Sequence, residues 1–163
     1  MKRDFISILD WTSKEIRDNL DFAAELKQQT KEGKCPQLLK RKTYGLFFHK
    51  PSLRTRLSFE VGIAQLGGTS LVLSEQDFKI GERETVSDVA RVMSRYVDGI
   101  LIRTFSHQMV LELAQHATVP VVNMLTDFNH PCQVMSDMLT IKENLGHIDN
   151  VRIAYIGDSN NMT

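Results

Sequence analysis

The sequence has no charge of either sign to spare: Lys+Arg 20 against Asp+Glu 20 gives a formal net charge of +0 over 163 residues. That excludes the broad basic field of a nucleic-acid or anionic-membrane binder, so any anion site has to be local. Cysteine is scarce too. Cys35 and Cys132 cannot build a disulfide framework, a count that fits a reducing cytoplasm. The opening "MKRDFISILDW" holds no apolar stretch of signal-peptide length, and no later run is long enough to span a bilayer. Internal repeats, low-complexity tracts and flexible linkers are also missing. What remains, 42% hydrophobic and 25% charged, is ordinary globular composition, and the length suits one α/β domain with a real core rather than two complete ones.

The pattern along the chain alternates. "TSKE" (Thr12–Glu15) is a capping box that predicts a helix to about Lys31, with Ile16, Leu20, Ala23, Ala24 and Leu26 as its apolar stripe. Strands are predicted at about 43–48, 69–73, 99–103, 119–124 and 151–156, and helices at about 53–66, 85–96, 107–117 and 131–145. Short Val/Ile/Leu runs separated by helices of about three turns predict an α/β fold, a parallel sheet covered by helices on both faces in three α/β/α layers. Ligands of such sheets bind in the loops that follow the carboxyl ends of the strands. The run "VRIAYIG" (151–157) followed by "DSNNMT" reads as a strand entering a new helix, so the sequence is expected to continue beyond Thr163.

Three polar clusters fall at expected strand ends. Ser52, Arg54 and Thr55 lie in "HKPSLRTRLSFE" (His49–Glu60), in the first turn of a helix that follows a strand. Free backbone N–H groups, the positive helix end, two hydroxyls and a forked guanidinium suit an anion there. A Ser N-cap followed by solvated arginines is the plainer alternative. Arg56 is less clear, since it could brace Glu60 at i,i+4. Arg103 follows "GILI", where a charge can mark nothing more than a strand's exit into water. In "HPCQ", Pro131 suits the first turn of a helix, which sets His130 and Gln133 three apart around that turn.

Other patterns fall away on inspection. Cys132 beside His130 suggests zinc, but no partner pair with ligand spacing exists, and a His–Cys nucleophile pair is unfavourable in adjacent positions at a helix start. "CPQLLKR" (35–41) has a phosphatase-like Cys-to-Arg spacing without the glycines that wrap a phosphate. "IGDSNN" carries too few glycines for a dinucleotide fingerprint. The histidines at 107, 116 and 147 show no ligand spacing. The clusters together are nearly all donors, with no carboxylate pair, activated nucleophile or metal cage. They suit electrostatic stabilisation of an anionic leaving group and a developing oxyanion, without metal or cofactor.

"F-x-K-P-S-x-R-T-R-x-S-F-E" at 48–60, "D-G-I-x-I-R" at 98–103 and "H-P-x-Q" at 130–133 resemble, in order and spacing, the aspartate/ornithine carbamoyltransferase family. The resemblance covers essentially the whole chain as that family's N-terminal, carbamoyl-phosphate-binding domain. It implies that residues 1–148 form this domain and 149–163 begin a second, amino-acid-binding domain that holds most of the remaining substrate contacts. It further implies that Ser52, Arg54 and Thr55 hold the phosphate, with Thr55 also reaching the carbonyl side. Arg103 would bridge phosphate and carbonyl oxygen, His130 would donate to that oxygen, and Gln133 would bind the carbamoyl amide. Arg54, Arg103 and His130 are then the catalytic set. Many members carry Thr where this chain has Leu53, which is compatible with a role for the backbone N–H at that position.

"GDSNNM" (157–162), with Asn161 as an amino-acid contact, and the loop "FKIGERETVSD" (78–88) resemble the ornithine branch, and Lys50 also favours it. The implied reaction is carbamoyl transfer from carbamoyl phosphate to ornithine, giving citrulline and phosphate in arginine biosynthesis. The implied partners are those two substrates and further copies of the chain in a homotrimer or a multiple of it, without nucleic acid or membrane. Aspartate or N-acyl-ornithine carbamoyl transfer, and a non-catalytic anion-binding module of the same fold, are the alternatives.

Overall fold

The structure, a computed structural model, describes residues 2–74, 80–81 and 84–157. After a short 3-10 turn at Ile8–Asp10 come α1 (Ser13–Lys31), β1 (Thr43–Phe48), α2 (Leu53–Gln65), β2 (Thr69–Ser74) and α3 (Val86–Met93). Then follow β3 (Gly99–Arg103), α4 (His107–His116), β4 (Val121–Leu125) and α5 (Pro131–Leu145). The helices begin where side chains can cap them. Thr12 with Glu15 forms the expected capping box, and Ser52, Thr85 and Ser106 each accept a backbone N–H from the first turn of their helices. Gly146, at φ 78°, closes α5 in the left-handed conformation that glycine adopts without steric penalty.

The four strands are all parallel, in the order β2-β1-β3-β4. Alternation along each strand sends side chains into two separate cores. Phe47, Ile100, Ile102 and Val121 pack against Val89 and Met93 of α3 and Val110 and Leu113 of α4. On the other face, Leu46, Phe48, Leu101 and Met124 pack with Ile63 of α2. Helix α5 lies on β4, and α1 lies against α5, where Lys27 pairs with Glu143 at 2.7 Å and Lys142 with Asp21. The three-layer α/β/α arrangement expected from the sequence is what forms.

One expected element is absent. Residues 151–157 form no strand, and Ile153 and Ile156 are 75% and 96% exposed. A β-prone run becomes a strand only with a ladder partner and a face to bury. The outer edge of β4 is already occupied by the N-terminal segment: Phe5 N–H donates to Val121 O at 2.9 Å, and Asn123 N–H to Phe5 O at 2.9 Å.

Strand order decides where a site can form. Strand β1 connects through α2 to β2 on one side, while β3 flanks it on the other. The crevice beyond the carboxyl ends of β1 and β3 is therefore the topological switch point of the sheet.

Candidate functional site

The first cluster sits on the switch point. Ser52 caps α2 by accepting Thr55 N–H at 3.3 Å, and its hydroxyl donates to Thr55 Oγ1 at 2.9 Å. Arg103, the last residue of β3, donates from Nη1 to the same Thr55 oxygen at 3.3 Å. With two donors on its oxygen, Thr55 has its own hydroxyl proton left to give. Arg103 is partly buried, and burial lowers its pKa from the ordinary value while leaving it a cation. Its buried Nε finds no acceptor among the described residues. A bulge lies beside it: Ile102 pairs with Asn123 but Arg103 with Leu125, so β4 carries an extra residue there. Such bulges redirect side chains at the ends of pairing.

The other wall comes from β4 and α5. The turn after β4 is pinned by Asn129, whose Oδ1 accepts from Asn123 Nδ2 at 2.6 Å and whose N–H reaches Thr126 Oγ1 at 3.3 Å. Fully buried Asn123 also donates to Ile6 O at 3.0 Å. That turn delivers His130 as the N-cap of α5, where Nδ1 accepts Gln133 N–H at 3.4 Å. Nδ1 is then the bare nitrogen, and the ring proton resides on Nε2. Burial first, and then the Arg103 guanidinium, lower the His130 pKa, while Asp137 opposes them. His130 is accordingly a neutral imidazole at neutral pH, able to donate from Nε2.

Between the walls lies a cleft of ≈ 540 Å³, lined by Arg54, Thr55, His130 and Gln133 among others. Arg103 reaches it through Thr55. Ser52 and Leu53 face a neighbouring cavity of ≈ 500 Å³ with His49, Arg56 and Ser74, and the Leu53 side chain is 74% exposed. The structure thus brings Arg54, Thr55, His130 and Gln133 onto one cleft, ties Ser52 and Arg103 to it through Thr55, and sets the Leu53 side chain apart. Arg56 is an ion-pair residue, with Nε 2.9 Å from Glu60 Oε2. Lys50 lies over an aromatic ring, its Nζ 5.1 Å from the Phe105 centroid. Asn161 lies outside the described residues, as does part of the loop at 78–88.

Several lining residues were not singled out from the sequence. Ser58 and Phe59 follow Thr55 at i+3 and i+4, and Ser136 follows Gln133 at i+3, so helical periodicity could have found them. Phe5 carries no such signal, because only its pairing with Val122 brings it to the cleft. Cys132 also lines the cleft and is half-buried: Sγ lies 3.3 Å from Asn123 O, and burial pushes its thiol up to about 12. It is no nucleophile at neutral pH. Among the described residues no group of His, Cys, Asp and Glu is placed to hold a metal ion, and no helix is long and apolar enough to cross a membrane.

This cleft gathers donors from two helix N-termini and two strand ends around one space, an arrangement suited to a phosphorylated, carbonyl-bearing anion. Residues 3–143 match the family model described as the aspartate/ornithine carbamoyltransferase, carbamoyl-P binding domain. The chain belongs to the aspartate/ornithine carbamoyltransferase family.

Among its relatives, an ornithine carbamoyltransferase of Oceanobacillus iheyensis is 53% identical over 99% of this chain and 50% of its own length. One from Methanocorpusculum labreanum is 49% identical over 99% of this chain and 53% of its own length. The solved ornithine carbamoyltransferase of Pyrococcus furiosus superposes with a TM-score of 0.95 at 48% identity, covering 98% of this chain and 51% of that one. An N-acetyl-L-ornithine transcarbamylase structure gives a TM-score of 0.82 at 34% identity, covering 88% of this chain and 48% of that one. The chain spans about half the length of these family members.

Proposed function

We propose that this chain supplies the carbamoyl-phosphate half of an ornithine carbamoyltransferase site. The carrying observation is the convergence of Arg54, Thr55, His130 and Gln133 on one cleft, with Arg103 bonded to Thr55. In this reading Ser52, the Leu53 backbone N–H, Arg54, Thr55 and Arg103 hold the phosphate at the α2 N-terminus. Thr55, Arg103 and the His130 Nε2 proton meet the carbonyl oxygen as charge builds on it. Gln133 receives the carbamoyl amide. The neutral ornithine amine attacks the carbonyl carbon, a C–N bond forms, the C–O bond to phosphate breaks, the departing phosphate takes up the proton the amine loses, and citrulline and phosphate leave. No residue forms a covalent intermediate; positioning and a preorganised oxyanion environment carry the rate.

Residues 1–148 are read as the carbamoyl-phosphate domain and 149–163 as the start of the ornithine domain, with Asn161 among its contacts. Ornithine is preferred to aspartate or N-acetylornithine because the relatives at about half identity bear the ornithine name. A place in arginine biosynthesis and a cytoplasmic setting follow from that reading, the latter supported by two free cysteines. A homotrimer is supported by the β2 edge, which pairs with no further strand among the described residues and where Leu71, Val92 and 80% exposed Tyr96 line a largely apolar groove of ≈ 300 Å³.

Calorimetric titration tests the half-site. Carbamoyl phosphate should bind weakly but more tightly than inorganic phosphate, and ornithine turnover by these 163 residues should be negligible. Citrulline production at enzyme-like rates by this chain alone would overturn the division of labour. A substrate panel on a chain extended to the relatives' length would separate ornithine from aspartate and acetylornithine.

A further inference from the structure

Gln133 stands in the first turn of α5, and its carboxamide is held at one end. Its Nε2 donates to Asp137 Oδ1 at 2.8 Å, one helical turn further along. A carboxamide has a donor end and an acceptor end of nearly the same shape, and the partner decides which way round it sits. An ionised carboxylate only accepts. Against Asp137 the NH2 end is therefore favoured, and Oε1 is left on the other side of the group. The Ser58 and Ser136 hydroxyls of the cleft donate to the Thr55 and Cys132 carbonyls, and the other groups assigned to carbamoyl phosphate here are donors: the Arg54 guanidinium, the Thr55 hydroxyl with both acceptor positions occupied, and the His130 Nε2 proton. Gln133 Oε1 is the acceptor among them. The Asp137 charge also reaches this space, since it works against the lowering of the His130 pKa.

We propose that Asp137 is a positioning residue that turns the Gln133 carboxamide oxygen towards the cleft, so that the site selects an acyl phosphate ending in NH2 over one ending in methyl. The proposal rests on reading the cleft as a carbamoyl-phosphate site. Acetyl phosphate is the discriminating probe, because it keeps the phosphate and the carbonyl and replaces the amide with a methyl group. Asp137 lies on an exposed face of α5, so its substitution leaves the core intact.

The experiment measures the affinities of the 163-residue chain for carbamoyl phosphate, acetyl phosphate and inorganic phosphate by calorimetry, with a thermal melt as the folding control. Asp137→Ala should narrow the carbamoyl-over-acetyl preference by about three- to tenfold, the loss expected for one oriented hydrogen bond, and leave the ratio of acetyl phosphate to inorganic phosphate affinity unchanged, because the lost charge acts on both anions alike. Asp137→Glu, which still only accepts, should keep the preference. Asp137→Lys should reverse the amide and with it the preference. In a Gln133→Ala background, Asp137→Ala should change nothing further, a result that general loosening of α5 would not give. Retention of the wild-type preference by folded Asp137→Ala and Asp137→Lys overturns the proposal, as does equal loss in Asp137→Glu. Wild-type protein that binds carbamoyl phosphate no better than inorganic phosphate would instead refute the carbamoyl-phosphate reading, and this proposal with it.

Discussion

Arg103 Nη1 donates to Thr55 Oγ1 across 3.3 Å, a contact that joins the end of β3 to the first turn of α2 over a separation of 48 residues. Thr55 is thereby a junction, accepting from Arg103 and from Ser52 at once. Replacing it with valine strands two donors. Thr55→Val should lower stability in urea by about 1–2 kcal/mol and weaken carbamoyl-phosphate binding, whereas Thr55→Ser should restore most of both.

The two arginines of the α2 motif should separate cleanly. Arg54 lines the cleft, while Arg56 is bound to Glu60 at 2.9 Å. Arg54→Ala should weaken carbamoyl-phosphate binding by about 1.5–3 kcal/mol, the range for a charge-assisted hydrogen bond. Arg56→Ala should cost only about 0.3–0.5 kcal/mol of stability, as an exposed i,i+4 pair does, with little change in affinity. Equal effects on binding from the two substitutions would refute the assignment.

His130 sets a pH dependence of stability. Burial, reinforced by Arg103, holds its pKa below the ordinary 6.5. Between that lowered value and 6.5, the unfolded chain binds a proton that the folded chain does not. The His130 contribution is therefore fully present above about 6.5, falls as pH drops through the interval, and levels off once the folded imidazole is protonated as well. His130→Asn keeps a side-chain oxygen for the cap but cannot titrate, so it should flatten this part of a urea-midpoint against pH curve. An unchanged slope would refute the link.

Thiol labelling should distinguish the two cysteines. With its thiol pushed up to about 12 and its sulfur against Asn123 O, Cys132 should stay unmodified by a disulfide reagent at pH 8 in the folded protein. Denaturant should return the thiol to its ordinary reactivity. Peptide mapping that finds Cys132 labelled before unfolding would contradict the packing seen here.

The helices were legible because their ends are written locally: Thr12 with Glu15, Ser52 at the start of α2, Pro131 at the start of α5 and Gly146 at its close. The Arg56–Glu60 pair was legible for the same reason, as an i,i+4 relation. The strand-end clusters could be chosen because a parallel sheet points its loops to one end. Partnerships through space were not legible. The run at 151–157 has strand composition but no ladder to join, and Phe5 reaches the cleft only by bridging to Val122. Asp137 looks like any exposed helical acid until its contact with the Gln133 amide is visible.

The N-terminal segment beside β4 has a consequence for the order in which the cleft is built. The Ser52–Thr55 turn is complete within a few residues, and Arg103 joins it over 48. The turn that carries His130 is different, because Asn123 and Asn129 are tied to Ile6 O at 3.0 and 3.4 Å, over separations of 117 and 123 residues. Closing so long a loop carries the larger entropic cost and sets in late during folding. A chain emerging from the ribosome can shape its phosphate cradle early, but the wall that bears the imidazole waits for the first few residues to come back and fasten it. Trimming the start of the chain up to Ser7 would therefore loosen His130, far away in sequence, while sparing the arginines.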